Sequence, residues 1–262
     1  MEYKYKIKLY KGKSLIGTRE VEVKGGRYST MFKAYQIATA MTPTYDFFEI
    51  EETNKAKKYS KIINVEGWSD FFPSIKTSYE DAECMIVGTV PSDGGIKAGV
   101  YYGSSRNGLW EILDEIYPHN NFSEQLKEDK YNNNFDKIAT KLKDIHLIFR
   151  DTLISCKRPE SDSDDLHIIS ARHTDKHEFE KILIKHKNLN KIICNSQEAF
   201  FRFLIIMNIE FDWLKLGDIK SCELCYNFKG RKIIITRAYT PSGRYFNLNK
   251  KKVIEDWKQK LK

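Results

Sequence analysis

The chain has 262 residues, of which 41% are apolar and 31% charged, and its formal net charge is +8. That length suits one large domain or a domain with a small appendage, and the composition excludes a disordered chain. No run of about 18 apolar residues is present, which excludes a helical membrane span, and no internal period recurs. The opening Met-Glu-Tyr-Lys-Tyr-Lys lacks the apolar stretch of a secretory signal. The five cysteines, Cys84, Cys156, Cys194, Cys222 and Cys225, are therefore expected as reduced thiols in a cytoplasmic protein. The basic balance attracts polyanions, nucleic acid among them, although lysine-rich usage also follows from genome composition.

Tyr3, Tyr5, Ile7 and Leu9 alternate with Lys4, Lys6 and Lys8, a period of two that predicts a half-exposed strand. Lys11-Gly12-Lys13 is a turn, and Leu15 to Val23 returns as a second strand. Gly25-Gly26 stops it, and Ser29 or Thr30 is expected to cap a helix to about Met41. Strands follow over 45–51 and 59–65. These elements predict a small antiparallel α+β domain over residues 1–75, bounded near Phe71-Phe72-Pro73-Ser74. Its lysine row suits a DNA clamp, but lysines on an edge strand also deter aggregation. Binding of a protein partner and plain support of the rest are the alternatives for this unit.

From residue 82 the texture changes. Cys84 to Val87, Lys191 to Cys194 and Lys232 to Thr236 are short apolar runs typical of strands buried on both faces. Leu109, Trp110, Leu113, Ile116 and Tyr117 recur at helical spacing, and Asn195 with Glu198 reads as a capping box for a helix through Met207. Strands alternating with helices predict an α/β unit over 76–262 with a mostly parallel sheet. Ligands of such sheets bind beyond the carboxyl ends of the strands, so the loops after Val87, Cys194 and Thr236 are the places to look for chemistry.

The first of these loops reads Gly88-Thr89-Val90-Pro91-Ser92 and leads to Tyr101-Tyr102-Gly103-Ser104-Ser105-Arg106-Asn107-Gly108-Leu109-Trp110. The last reads Arg237-Ala238-Tyr239-Thr240-Pro241-Ser242-Gly243-Arg244. In this order the segments resemble the uracil-DNA glycosylase superfamily, nearest to its mismatch-specific and hypoxanthine-type branches. Those members carry Gly-x-x-Pro-(Gly/Ser), an aromatic, Asn-x-(Phe/Leu)-Trp opening a helix, and a late Pro-Ser-x loop. Asp151-Thr-Leu, Cys156-Lys-Arg158 and Cys194 to Phe200 fit the middle region. The resemblance covers residues 82–262 and leaves 1–75 uncovered.

The resemblance implies a three-layer α/β sandwich and a monofunctional DNA base glycosylase without cofactor or metal. Such an enzyme flips a base out of double- or single-stranded DNA and hydrolyses its N-glycosidic bond, leaving an abasic site. Working on a base requires extruding it, stacking it, stabilising negative charge as it departs, aiming water at the sugar, and filling the gap left behind. The matching residues are Gly88, Thr89, Pro91, Ser92, Tyr101 and Tyr102 for base binding, with Tyr102 as the stacking ring. Asn107 is the candidate catalytic residue. Pro241, Ser242, Gly243, Arg244 and Tyr245 form the DNA-binding insertion loop, with Arg244 or Tyr245 as wedge. The blander readings are Tyr102 as core, Asn107 as a helix cap, 241–245 as a surface turn, and Trp110 as core in either case.

Two departures bear on mechanism. Val90 stands where many members keep Asp or Asn to activate water. Gly103-Ser104-Ser105 replaces the Ala-His-Pro common in relatives, which predicts room for a base other than plain uracil, in repair or in defence against foreign modified DNA. No lysine stands in these loops as an imine former, so lyase chemistry is not expected. The rival readings are a non-catalytic DNA-binding module and a metal-dependent nuclease built on Glu160, Asp162, Asp164 and Asp165, a stretch that reads better as a solvated loop. Cys222 and Cys225 read as two hairpin thiols, and His173 with His177 as exposed residues near a helix start. Lys250-Lys251-Lys252, with Lys258, Lys260 and Lys262, reads as a solvated or phosphate-contacting face of a terminal helix around Trp257.

Overall fold

The computed structural model describes residues 2–41, 45–53, 60–64, 79–159 and 168–262. In chain order the elements are β1 (Glu2–Lys11), β2 (Ser14–Lys24), α1 (Arg27–Thr39), β3 (Phe47–Glu52) and β4 (Ser60–Asn64). Then come β5 (Cys84–Gly88), α2 (Asp93–Ala98), α3 (Leu109–Ile116), α4 (Phe122–Asn132), α5 (Asp136–Asp144), β6 (Leu147–Asp151), β7 (Leu153–Pro159) and β8 (Ser170–His173). The chain closes with α6 (Lys176–Lys185), β9 (Lys191–Cys194), α7 (Gln197–Met207), β10 (Glu223–Phe228), β11 (Arg231–Arg237) and α8 (Gly243–Leu261).

One sheet has the order β10-β11-β9-β5-β6 and is parallel except for its antiparallel edge strand β10. All five residues of β5 are buried, as its unbroken apolar run requires. The chain leaves β5 toward β6 on one side and leaves β9 toward β11 on the other. Right-handed crossovers then put the helices of the two connections, α2–α5 and α7, on opposite faces. Every residue of α7 after Gln197 is buried. It packs on β5, β9 and β11 and also meets α1, so a helix apolar nearly all round is needed there.

The other sheet has the order β2-β1-β3-β8-β7-β4 and is antiparallel throughout. It mixes the two segments expected to be separate: β3 pairs with β8, and β4 with β7. A division near residue 75 is therefore not a division between sheets, and residues 71–74 lie outside the described residues. The physical reason is the tight passage from β6 to β7, where Thr152 alone carries the chain from one sheet to the next. Tyr5, Met31, Phe32, Tyr35 and Ile50 belong to the same buried core as the parallel strands. The acidic stretch 160–165 also lies outside the described residues.

The lysine row of β1 is flanked on both sides. Lys4 and Lys6 stand opposite Glu22 and Glu20 of β2, while Lys6 and Lys8 stand opposite Glu51 and Glu49 of β3. Lys8 Nζ lies 2.7 Å from Glu51, and Lys4 pairs with Glu22. The row is thus balanced within its own sheet. Helix α1 starts at Arg27, earlier than the Ser29 or Thr30 cap expected, with Gly26 as N-cap. Ser29 Oγ donates back to the Gly26 carbonyl at 3.0 Å, and Thr30 is buried against the Tyr5 hydroxyl at 2.8 Å.

A buried polar network joins this sheet to α7. Arg202 donates to Glu198 at 2.7 Å and to His173 Nε2 at 3.0 Å, and Arg27 donates to Glu198 at 3.3 Å. His173 is thus a buried residue of β8, not an exposed one, whereas His177 is exposed on α6. Burial, and then the neighbouring Arg202 charge, push the His173 imidazole well below its ordinary 6.5, so it is neutral and accepts from Arg202. The unfolded chain takes up this proton first as pH falls. Stability is therefore full above about pH 6.5 and declines below it, by up to ~1.4 kcal/mol per pH unit from this group, until the folded pKa is reached. Urea unfolding between pH 7.5 and 5 checks this: the His173→Gln variant should show a shallower decline than the wild type.

Candidate functional site

The carboxyl ends of the four parallel strands present Gly88, Asp151, Cys194 and Arg237. Because the connections from β5 and β9 leave toward opposite sides, the switch point of this sheet, where the ligand crevice of such sheets lies, falls between those two neighbours. Asn195 follows β9 directly, and its Nδ2 donates to the Tyr102 hydroxyl at 3.2 Å. Tyr102 thus bridges the crevice. A Cβ on Gly88 would lie 2.2 Å from Asp151 Oδ1 and 3.0 Å from the Tyr102 hydroxyl, so only glycine lets both approach the end of β5. Tyr102 holds a left-handed φ of 55°, a conformation costly for a tyrosine and common where function constrains backbone. Its ring meets Phe149 edge-on at 5.4 Å.

The rest of the 88–92 loop is occupied with structure. Thr89 is buried, and its carbonyl accepts from Leu153 N at 3.0 Å and Thr152 Oγ1 at 3.3 Å. Val90 points into a small apolar cluster with Ile63, Leu153, Cys156, Ile168 and Ala171. Pro91 is buried, and Ser92 caps α2 by accepting from Gly95 N at 3.2 Å. Asp93 opens that helix and receives Arg158 at 2.9 Å and also Lys61. Burial raises the Asp93 carboxyl, but Lys61 and Arg158 outweigh it and hold the group below the ordinary carboxylate range. Arg158 is fully buried, so β7 and β4 together fix the start of α2.

Tyr101 is 3% exposed and its ring packs against Phe149. The small residues after Tyr102 also have a packing role. A Cβ on Gly103 would meet Val100 at 2.5 Å, and one on Gly94 would meet Ser104 at 3.0 Å. The Gly103 carbonyl accepts from Lys130 Nζ at 2.6 Å, and burial lowers that ammonium below its ordinary range. Small side chains here let the 101–107 loop close on α2 and need not signal an enlarged pocket.

The 101–107 loop is stitched to the late loop by backbone hydrogen bonds. Gly108 N donates to the Pro241 carbonyl at 2.7 Å, Gly243 N donates to the Arg106 carbonyl at 3.0 Å, and Asn107 pairs with Ser242 as an antiparallel bridge. A Cβ on Gly108 would meet the Phe246 ring at 2.2 Å, so this glycine admits α8 against the start of α3. Asn107 Oδ1 accepts from Leu109 N at 2.9 Å, so it steadies the turn before α3, whose N-cap is Gly108, while its Nδ2 remains a donor. The late loop is anchored from α8: Asp256 accepts from Tyr239 N, and Trp257 Nε1 donates to the Tyr239 carbonyl, each at 2.8 Å. Pro241 is buried, and the Ser242 and Thr240 hydroxyls are 2.9 Å apart at the surface. Tyr245, 37% exposed, stacks on Tyr239 at 5.9 Å, and Lys252 Nζ lies 4.4 Å from the Tyr239 ring centre. Gly243 has a φ of 51° and opens α8. Arg244 lies on the first turn of α8, with its side chain outside the described residues.

Sequence reasoning misses Asn195 and Asp151 as site residues. The expected capping box misplaces Asn195, because Ser196 is the N-cap of α7, accepting from Ala199 N at 3.0 Å, and Glu198 turns to Arg202 instead. A polar residue at the end of a buried strand or immediately beyond it is the signal that finds both. The terminal lysines are largely engaged, Lys250 with Glu111, Lys260 with Asp256, and Lys252 over Tyr239. Cys222 is buried, whereas Cys225 is exposed on β10. Among the described residues, no three His, Cys, Asp or Glu side chains gather as for a metal, and no helix is long and apolar enough to cross a membrane.

No protein-family model matches the chain, and no curated protein matches it. Among solved structures it is similar to the solution NMR structure of a "putative Uracil DNA glycosylase" from Methanosarcina acetivorans. The two are 20% identical, the match covers 70% of this chain and 91% of that one, and the TM-score is 0.48.

Proposed function

We propose that this chain is a DNA base glycosylase of the uracil-DNA glycosylase superfamily, hydrolysing the N-glycosidic bond of an extruded base. The observation that carries this reading is the meeting of Gly88, Tyr102 and Asn195 at the crevice, with the 106–108 and 241–243 segments laddered together beside it. As the bond to the base breaks, the sugar gains oxocarbenium character and the base becomes anionic. DNA phosphates favour the sugar cation, so the protein has mainly to hold the base, receive its charge and aim water. The Tyr102 hydroxyl and Asn195 amide lie where a base entering the crevice meets donors. The exposed Tyr245 edge and the Ser242 and Thr240 hydroxyls face outward on the loop that would press on the backbone. Strand β4, in this reading, braces the site: its Lys61 holds Asp93 at the foot of the 88–92 loop.

Mass spectrometry of bases released from DNAs of different modification status tests the reading. Free base, an alkali-labile abasic site and insensitivity to EDTA are expected; absence of free base from every DNA overturns it. Asn107→Ala should lower the excision rate by about 10²-fold, the usual cost of one aligned donor, and stability by about 1 kcal/mol through the lost hydrogen bond from Leu109 N. Single-turnover excision and gel-shift binding of the same duplex measure it, with binding nearly unchanged. One observation favours a binding-only module instead: Val90 is buried in the apolar cluster, so the 88–92 loop itself has no carboxylate.

A further inference from the structure

We propose that Asp151, at the end of β6, is the catalytic carboxylate that the 88–92 loop lacks. This rests on the glycosylase reading. Gly88 ends the middle strand of the site, with β9 on one side and β6 on the other. On the β9 side stand donors, the Asn195 amide and the Tyr102 hydroxyl it binds. On the β6 side stands Asp151, paired across the ladder with Gly88 and only 8% exposed. Its Oδ1 lies over the glycine, 2.2 Å from where a Cβ would be. One wall thus donates hydrogen bonds and the other carries a carboxylate. Breaking a glycosidic bond separates charge in that sense, with a negative base leaving a positive sugar.

Asp151 is the only acidic residue on the ends of the four parallel strands. The main chain at Asp151 is held independently of its side chain. Thr174 Oγ1 donates to the Asp151 carbonyl at 3.0 Å, and Thr152 N donates to the Gly88 carbonyl at 2.9 Å. In the step, the C1′–N bond breaks and its electron pair leaves with the base. A water oxygen bonds to C1′, and its proton passes to the Asp151 carboxylate and then to bulk water. The base anion takes a proton from solvent.

Two DNA duplexes test the charge directly, one with a cationic pyrrolidine in place of the sugar and one with a neutral tetrahydrofuran abasic site. The wild type should bind the cation at least about tenfold more tightly, the equivalent of ~1.4 kcal/mol. Asp151→Asn, which keeps the side-chain shape, should erase that ratio while binding the tetrahydrofuran duplex as the wild type does. Asp151→Ser should do the same, which separates charge from shape. Its single-turnover excision should fall by at least about 10²-fold. A wild-type ratio near one, or a ratio kept by both variants, overturns the proposal. Failure of the glycosylase reading looks different: the wild type shows the ratio and both variants lose it, yet no DNA releases free base, and the proton-transfer step falls with that reading.

Discussion

Glu198→Ala should cost the fold 3–5 kcal/mol, roughly the penalty for stranding a buried charge. Glu198 and Arg202 are 4% and 1% exposed, one turn apart on α7. Glu198 accepts from Arg202 at 2.7 Å and from Arg27 at 3.3 Å. Truncation leaves the Arg202 guanidinium facing His173, which is neutral and offers one acceptor. It also removes the Glu198 partner of Arg27 at the start of α1, so the contact between the antiparallel sheet and α7 weakens at the same time. The double variant Glu198→Ala/Arg202→Leu removes both charges and should recover part of the loss, because an apolar pair of fitting volume is often nearly neutral there. Urea unfolding of the single and double variants measures this. A loss below about 1 kcal/mol for Glu198→Ala would mean that the two layers are held by apolar packing alone.

Three strands of the parallel sheet, β5, β9 and β11, are legible because they are buried on both faces, whereas β6 carries no such signal in the sequence reading. Cys84 to Val87, Lys191 to Cys194 and Lys232 to Thr236 stand out as apolar runs, since any polar residue there would lose water without a partner. The antiparallel sheet was half legible. Its first three strands are linked by short connections and alternate in the expected way. Membership of β7 and β8 was hidden, because pairing between residues 50 and 171 leaves no local trace. With β7 and β8 unseen, the N-terminal strands look like a separate unit. The site followed the same rule. The candidate segments 88–92, 101–107 and 240–245 are each contiguous in sequence and so are legible as motifs. Asp151 and Asn195 were not assigned, since each is a single polar residue whose meaning comes only from the strand it terminates. Asn195 was also masked by a plausible local alternative, the capping box, which the neighbouring Ser196 takes over with better geometry.

Gly88→Ala should abolish base excision while leaving the protein folded. Its φ is not in the left-handed region, so alanine fits the backbone, and the whole effect comes from one added methyl group. That methyl would stand 2.2 Å from Asp151 Oδ1 and 3.0 Å from the Tyr102 hydroxyl, too close for either to stay. The carboxylate must swing away from the end of β5, or Tyr102 must part from Asn195 and reopen its strained loop. Overpacking of this kind costs about 1–3 kcal/mol, tolerable for a chain with a core of this extent. A displacement near 1 Å at the reacting centre costs about 10²-fold in rate, and here both walls of the crevice move together, so a loss of about 10³-fold or more is expected. Gly17→Ala is the control, because its methyl would meet only Leu9 at an ordinary 3.9 Å. Thermal melting and single-turnover excision of the two variants decide the matter. Gly17→Ala should match the wild type in both. Gly88→Ala should melt somewhat lower and release almost no base, and full activity in it would mean that the reacting sugar and base bind away from the end of β5.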